Sequence, residues 1–207
     1  MESTLPYLHG RTWASITREE RFFCAELYFV LRRLPTLRPF IAWLNAQGNA
    51  QQLPEDDLWD VGYEVCFYRD HIHAFGFGGT TSIRDKVVPD TDLPFMVKRT
   101  YDLALFHSGH LVIIEAKAQQ GWGRKQLDSL DRDRKDVKAM FKGKGQPEIE
   151  VHAILLAQEK HLAPMRDKQG VGSFTHLISW NQVAEQAAAW GADAHSLSAF
   201  SRACVVT

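Results

Sequence analysis

The chain carries only three cysteines in 207 residues, and Cys24, Cys66 and Cys204 stand far apart. An odd number at such spacing excludes a disulfide framework and a zinc knuckle, and the expected compartment is the reducing cytoplasm. No apolar run approaches the roughly 18 residues that a membrane helix requires. The opening stretch, MESTLPYLHGRTW, lacks the basic segment followed by an apolar one that marks a secretory leader. Charge of one sign is also missing. The 24 Lys and Arg and 25 Asp and Glu leave a net charge of -1, so a polyanion has to be met by a local patch. What is present, 45% hydrophobic and 24% charged residues without repeats, predicts one globular domain over residues 1–207.

Periodicity supplies the elements. Phe23, Leu27, Val30, Leu31 and Leu34 recur at helical spacing, Thr17 and Glu20 form a capping-box pattern ahead of them, and Pro35 ends the run. A second helix is predicted from Leu37 to Ala46. Val61 to Arg69 reads as a strand from its β-branched and aromatic content, and residues 70–98, with their FGFGG, read as an irregular insertion. Leu127, Leu130, Val137, Met140 and Phe141 give a later charged segment a helical stripe. EIEVHAILLAQ is a buried strand, SFTHLIS a shorter one, and NQVAEQAAAWGA a helix ending near Gly191. The order predicts an α/β domain, a mixed sheet of four to five strands flanked by helices.

The segment YDLALFHSGHLVIIEAK, Tyr101 to Lys117, raises the chemical question. A two-residue turn at Ser108-Gly109, with glycine supplying positive φ, pairs residues whose numbers sum to 217. Asp102 then faces Glu115, and strand alternation sends Asp102, Glu115 and Lys117 to one face. Like charges facing each other on a sheet are destabilising. One carboxyl can stay protonated, a cation can neutralise the pair, or a divalent metal can bridge both. Hard carboxylate oxygens suit Mg²⁺, with Mn²⁺ as a substitute, and Lys117 lies beside them to orient or deprotonate a water. The blander arrangement is a Lys117–Glu115 ion pair with Asp102 at a solvated strand end.

At these residues the sequence resembles the PD-(D/E)XK nuclease superfamily, whose signature is an Asp, a spacer, then Glu-x-Lys on the next strand. Here it reads Asp102, twelve residues, then Glu115-Ala116-Lys117. The resemblance implies a restriction-endonuclease-like three-layer core: a helix, a three-stranded meander, a helix and a further strand. It departs from the family pattern in having Tyr101 where proline precedes the Asp; a literal Pro89-Asp90 lies outside any convincing strand. The implied activity is Mg²⁺-dependent hydrolysis of phosphodiester bonds, with DNA the expected substrate and a homodimer a common arrangement in the class. Asp102 and Glu115 are the implied metal ligands, with the Ala116 carbonyl a further one. The family also implies an acid on the first helix and a glutamine after the Lys. Glu26, set among Phe22, Phe23, Phe29 and Val30, is the candidate acid, and Gln126 the candidate glutamine. Both have plainer readings, as a helix residue at the edge of the stripe and as a surface glutamine. Glu19 and Glu20 are explained by the helix dipole.

From Lys117 to Lys144, nine Lys or Arg stand against four Asp. The run is either a solvated face with i, i+4 pairs, Asp131–Lys135 and Arg132–Asp136, or a phosphate grip formed by Arg124, Lys125, Arg132, Lys135, Lys142 and Lys144. The nine histidines, His71 and His73, His107 and His110 among them, show no metal-site spacing with cysteine and read as core or surface residues. The rival to an enzyme is the same fold kept as a catalytically inactive scaffold that binds protein or nucleic acid.

Overall fold

Two short apolar strands joined at Ser108-Gly109 form the centre of the molecule. In the computed structural model, which describes residues 19–47, 52–67, 69–70, 99–119, 121–142, 149–166 and 176–205, these are β2 (Tyr101–Phe106) and β3 (His110–Ala116). They pair antiparallel as Phe106–Leu111, Leu105–Val112, Ala104–Ile113 and Leu103–Ile114, the register expected from the turn. His107 and His110 close the turn with N–H to carbonyl bonds of 2.9 and 3.4 Å. Gly109 does not take positive φ, so the turn closes without the conformation its glycine suggested.

Around this hairpin the chain builds a five-stranded mixed sheet in sequence order. β1 (Asp60–Val65) pairs antiparallel with β2, while β4 (Glu150–Ala157) and β5 (His176–Ser179) run parallel to β3. The central strands alternate between two apolar layers, which is why they lack polar faces. Leu103, Leu105, Val112 and Ile114 pack against α1 (Glu19–Arg33), α2 (Arg38–Ala46), α5 (Trp180–Ala187) and α6 (Ala194–Val205). Ala104, Leu111 and Ile113 pack against Leu130 and Val137 of α3 (Arg124–Lys142) and Leu162 and Met165 of α4 (Glu159–Arg166). The α/β expectation and the mixed sheet hold. Trp180 and Trp190 are both buried in the first layer.

Three features differ from the periodicity reading. The strand predicted for Val61–Arg69 stops at Val65. α4 escaped notice because Pro164 interrupts its pattern. α6 escaped because its buried face, Ser196, Ala199, Phe200 and Ala203, is made mostly of small residues; its readable signal was Asp193, whose Oδ1 accepts the Ser196 N–H at 2.9 Å as an N-cap does. The Thr17 capping residue, the 71–98 portion of the insertion and Pro89-Asp90 lie outside the described residues.

At one end of the meander the alternation slips. Tyr101 packs with Ala104 in the second layer although Leu103 belongs to the first, and Tyr63 and Val65 on β1 divide in the same way. Between those two, Glu64 adopts φ 52, and no other described non-glycine residue has positive φ. A left-handed conformation costs a side-chain-bearing residue about 1 kcal/mol. Glu64→Gly is therefore expected to raise stability by about 1 kcal/mol in urea unfolding, although glycine weakens regular strand positions.

Candidate active site

The slip occurs where the carboxylates gather. Main-chain pairing of β2 with β3 ends at Leu103–Ile114, and beyond it the Ala116 N–H donates to Asp102 Oδ2 at 2.7 Å. A side chain replaces a strand partner there. Glu64 on β1, Asp102 on β2 and Glu115 on β3 thus follow one another across three neighbouring strands, continuing the observed registers.

Lys117, just past β3, is fixed at both backbone polar groups. Its N–H donates to the Leu156 carbonyl at 2.7 Å, and its carbonyl accepts from Trp180 Nε1 at 3.0 Å. Its ammonium lies 3.2 Å from Glu20 Oε1 and 3.9 Å from Glu115 Oε1. Arg99 approaches Glu115 Oε1 at 3.5 Å and Asp133 Oδ2 of α3 at 3.0 Å, and its guanidinium lies over the Tyr101 ring.

These cations do not fully compensate the acids. Burial first, then the charge of Asp102, pushes Glu115 up to about 7 against the opposing pull of Arg99 and Lys117. Asp102 is pushed up to about 6, again by burial first; the Ala116 hydrogen bond and Lys117 pull it down, and Glu20 and Glu64 push it up. Glu115 Oε2 is buried with no hydrogen-bond partner among the described residues. With every group ionised and Glu64 matched by Arg21 at 3.2 Å, Asp102, Glu115, Glu20 and Asp133 carry four negative charges against the two of Lys117 and Arg99, an excess of two. Such an excess in a poorly solvated site is met by protons or by a dication. The buried Cys24 thiol beside them is pushed far above its ordinary range by burial and then by Asp102, Glu20 and Glu115, so it is not a nucleophile at neutral pH.

Of the expected residues, Asp102, Glu115, Ala116 and Lys117 come together. Glu26 stands with α6 instead: its Oε2 accepts from Ser196 Oγ at 2.8 Å, and His195 Nε2 lies 3.4 Å from Oε1. The helix acid that meets Lys117 is Glu20, six residues earlier, which dipole reasoning had accounted for without a site. Gln126 is exposed, and its Oε1 accepts the Gly123 N–H at 3.0 Å at the start of α3. On α3, Arg132 and Lys135 are exposed, while Arg124, Lys125 and Lys142 belong to the helix backbone and Lys144 lies outside the described residues. Asp136, expected on the solvated face beside Arg132, is instead buried, as is Asp133. Arg99, Asp133 and Glu64 were missed; the only available hint was that two aspartates fall three residues apart on the stripe of α3, next to Val137.

Compared with family models, curated proteins and solved structures, the chain matches none.

Proposed function

We propose that this chain is a Mg²⁺-dependent nuclease of the PD-(D/E)XK type that hydrolyses phosphodiester bonds, with DNA as the substrate. The observation that carries this reading is the buried, unpartnered Oε2 of Glu115, held beside Asp102 and Lys117 at the splayed end of an antiparallel meander. The sequence of a helix, three antiparallel strands, a helix and a parallel strand agrees with the restriction-endonuclease-like core that the Asp102, Glu115, Lys117 pattern suggested.

The donor set fits a hard dication. Glu115 offers an oxygen that no donor among the described residues satisfies, Asp102 has Oδ1 in addition to the Oδ2 committed to Ala116, and the charge excess is two. Asp102 and Glu115 would hold the ion, with the Ala116 carbonyl as a further ligand by resemblance. The ion supplies charge neutralisation at the scissile phosphate and lowers the pKa of a bound water. Everything else is assigned to the chain. Lys117, anchored through its own backbone by Leu156 and Trp180, presents its ammonium to the attacking water or to the charge that develops on the phosphate. Glu20 aligns that ammonium from α1, the helix on which Glu26 had been the candidate acid. Arg99 holds Glu115 in place through its link to Asp133. The exposed Arg132 and Lys135 of α3 supply backbone contacts that read no sequence.

The test is a plasmid assay. Purified protein is expected to nick or linearise DNA with Mg²⁺ and not with EDTA, and DNA affinity is expected to fall steeply between 50 and 200 mM salt, by about tenfold or more if several phosphates are contacted. The Lys117–Glu20 ion pair gives some support to the scaffold reading, since it neutralises part of the site without a metal. Calorimetry with Mg²⁺ separates the two, because a scaffold has no use for the ion.

A further inference from the structure

At the opposite end of β3, three side chains converge that the proposed nuclease does not use. His110 begins the strand after the turn, and Glu150 and His152 begin β4 beside it, paired as His110–Glu150 and Val112–His152. His110 Nδ1 lies 3.1 Å from His152 Nε2, and Glu150 Oε2 lies 3.7 Å from the first nitrogen and 3.9 Å from the second. We propose that His110, Glu150 and His152 form a binding site for a transition-metal dication of the zinc class, separate from the acidic site.

The geometry argues for this. A tetrahedral zinc ion with bonds of about 2.0–2.1 Å sets neighbouring ligand atoms about 3.3–3.4 Å apart. The triangle of 3.1, 3.7 and 3.9 Å is close to one face of that tetrahedron, so small side-chain adjustments seat the ion. Two imidazole nitrogens and one carboxylate oxygen prefer zinc, copper or nickel to magnesium. Glu115 lies five positions beyond His110 on β3, roughly 16 Å of extended chain, so one ion cannot serve both places.

The site is held by the fold. The Glu150 N–H donates to the Gly109 carbonyl at 2.9 Å, tying the start of β4 to the hairpin turn. His152 is buried, His110 half-buried and Glu150 exposed, which leaves an entrance at the carboxylate. The two nitrogens share one proton across 3.1 Å; when the ion binds, the donating ring carries its proton on its other nitrogen, so both rings stay neutral and both lone pairs face the metal. His107, the next histidine in the turn, is already used at both ring nitrogens, Nδ1 accepting from the Gly109 N–H at 3.3 Å and Nε2 lying 3.1 Å from Asp56 Oδ2. It is not a ligand. With three protein ligands, the fourth position is left to water.

The experiment titrates the chelator-stripped full chain with Zn²⁺ against a chromophoric competitor, and repeats it with Co²⁺ for its visible spectrum. One ion per chain is expected at micromolar affinity or tighter, with intense tetrahedral Co²⁺ bands and a melting temperature raised by about 5 °C at hundredfold saturation. His110→Ala is expected to weaken binding about 100-fold and Glu150→Gln about 10-fold, both folded by circular dichroism; Glu150→Gln, at an exposed position, keeps the test open if the histidine variant does not fold. Asp102→Asn combined with Glu115→Gln is expected to bind Zn²⁺ as the parent does. Affinity no tighter than millimolar, binding unchanged in His110→Ala or Glu150→Gln, or binding abolished in the acidic double variant overturns the proposal.

Discussion

Replacing Lys117 with alanine is expected to reduce Mg²⁺-dependent cleavage by about three orders of magnitude while leaving a folded protein that still binds DNA. The size follows from removing one preorganised charge from the place where negative charge develops, which costs about 10²–10³ in rate where it has been measured in other enzymes. The Lys117 backbone bonds to Leu156 and Trp180 do not depend on the side chain, so the strand end survives the substitution. Glu20 and Glu115 lose their shared cation, so the variant should take up metal at least as well as the parent. A supercoiled-plasmid assay alongside metal calorimetry reads both effects. Cleavage at the parental rate would remove Lys117 from the chemistry, and with it the central support for a nuclease.

The second large effect concerns pH. Asp102 and Glu115 hold their protons more tightly in the folded chain than in the unfolded one, at about 6 and about 7 against ordinary values near 4. The stability they contribute is therefore complete below about pH 4 and is lost as pH rises through 6 to 7, on the order of several kcal/mol for the two together. Buried His152 and His176 act in the opposite sense. Each is lowered to about 4, so their contribution is complete above about pH 6.5 and is lost as pH falls toward 4. The two pairs offset each other between pH 4 and 6.5, and the parent protein should show a nearly level unfolding free energy there. Asp102→Asn with Glu115→Gln removes only the first pair. Its metal-free stability should climb by several kcal/mol across the same window and exceed the parent's at pH 8. Urea titrations at pH 4.5, 6.5 and 8 measure the slope; parallel curves for parent and variant would refute the charge conflict at this site.

Much of this arrangement was legible in the chain because it depends on local periodicity. The hairpin register follows from turn length, and burial of β2 and β3 on both faces follows from their unbroken apolar runs. The position of Lys117 after Glu115 requires only counting. What depends on the third dimension was not legible. Glu20 and Glu26 are both acids on one helix, and nothing local to α1 says which meets β3 and which meets Ser196 of an α6 that periodicity had not revealed. Asp136 resembled one half of a surface pair until α3 was seen to lay it inward. His110 and His152 are 42 residues apart, and only the parallel pairing of β3 with β4 makes them neighbours.

The 2.7 Å bond from Ala116 to Asp102 has one more consequence. The carboxylate nominated for metal binding also stitches the frayed border of the sheet, so deleting its oxygens unravels architecture and chemistry in a single stroke. Alanine at position 102 would give a dead protein for two indistinguishable reasons. Asparagine keeps an acceptor for the amide while surrendering the charge, and it is the replacement through which the role of this residue can be read.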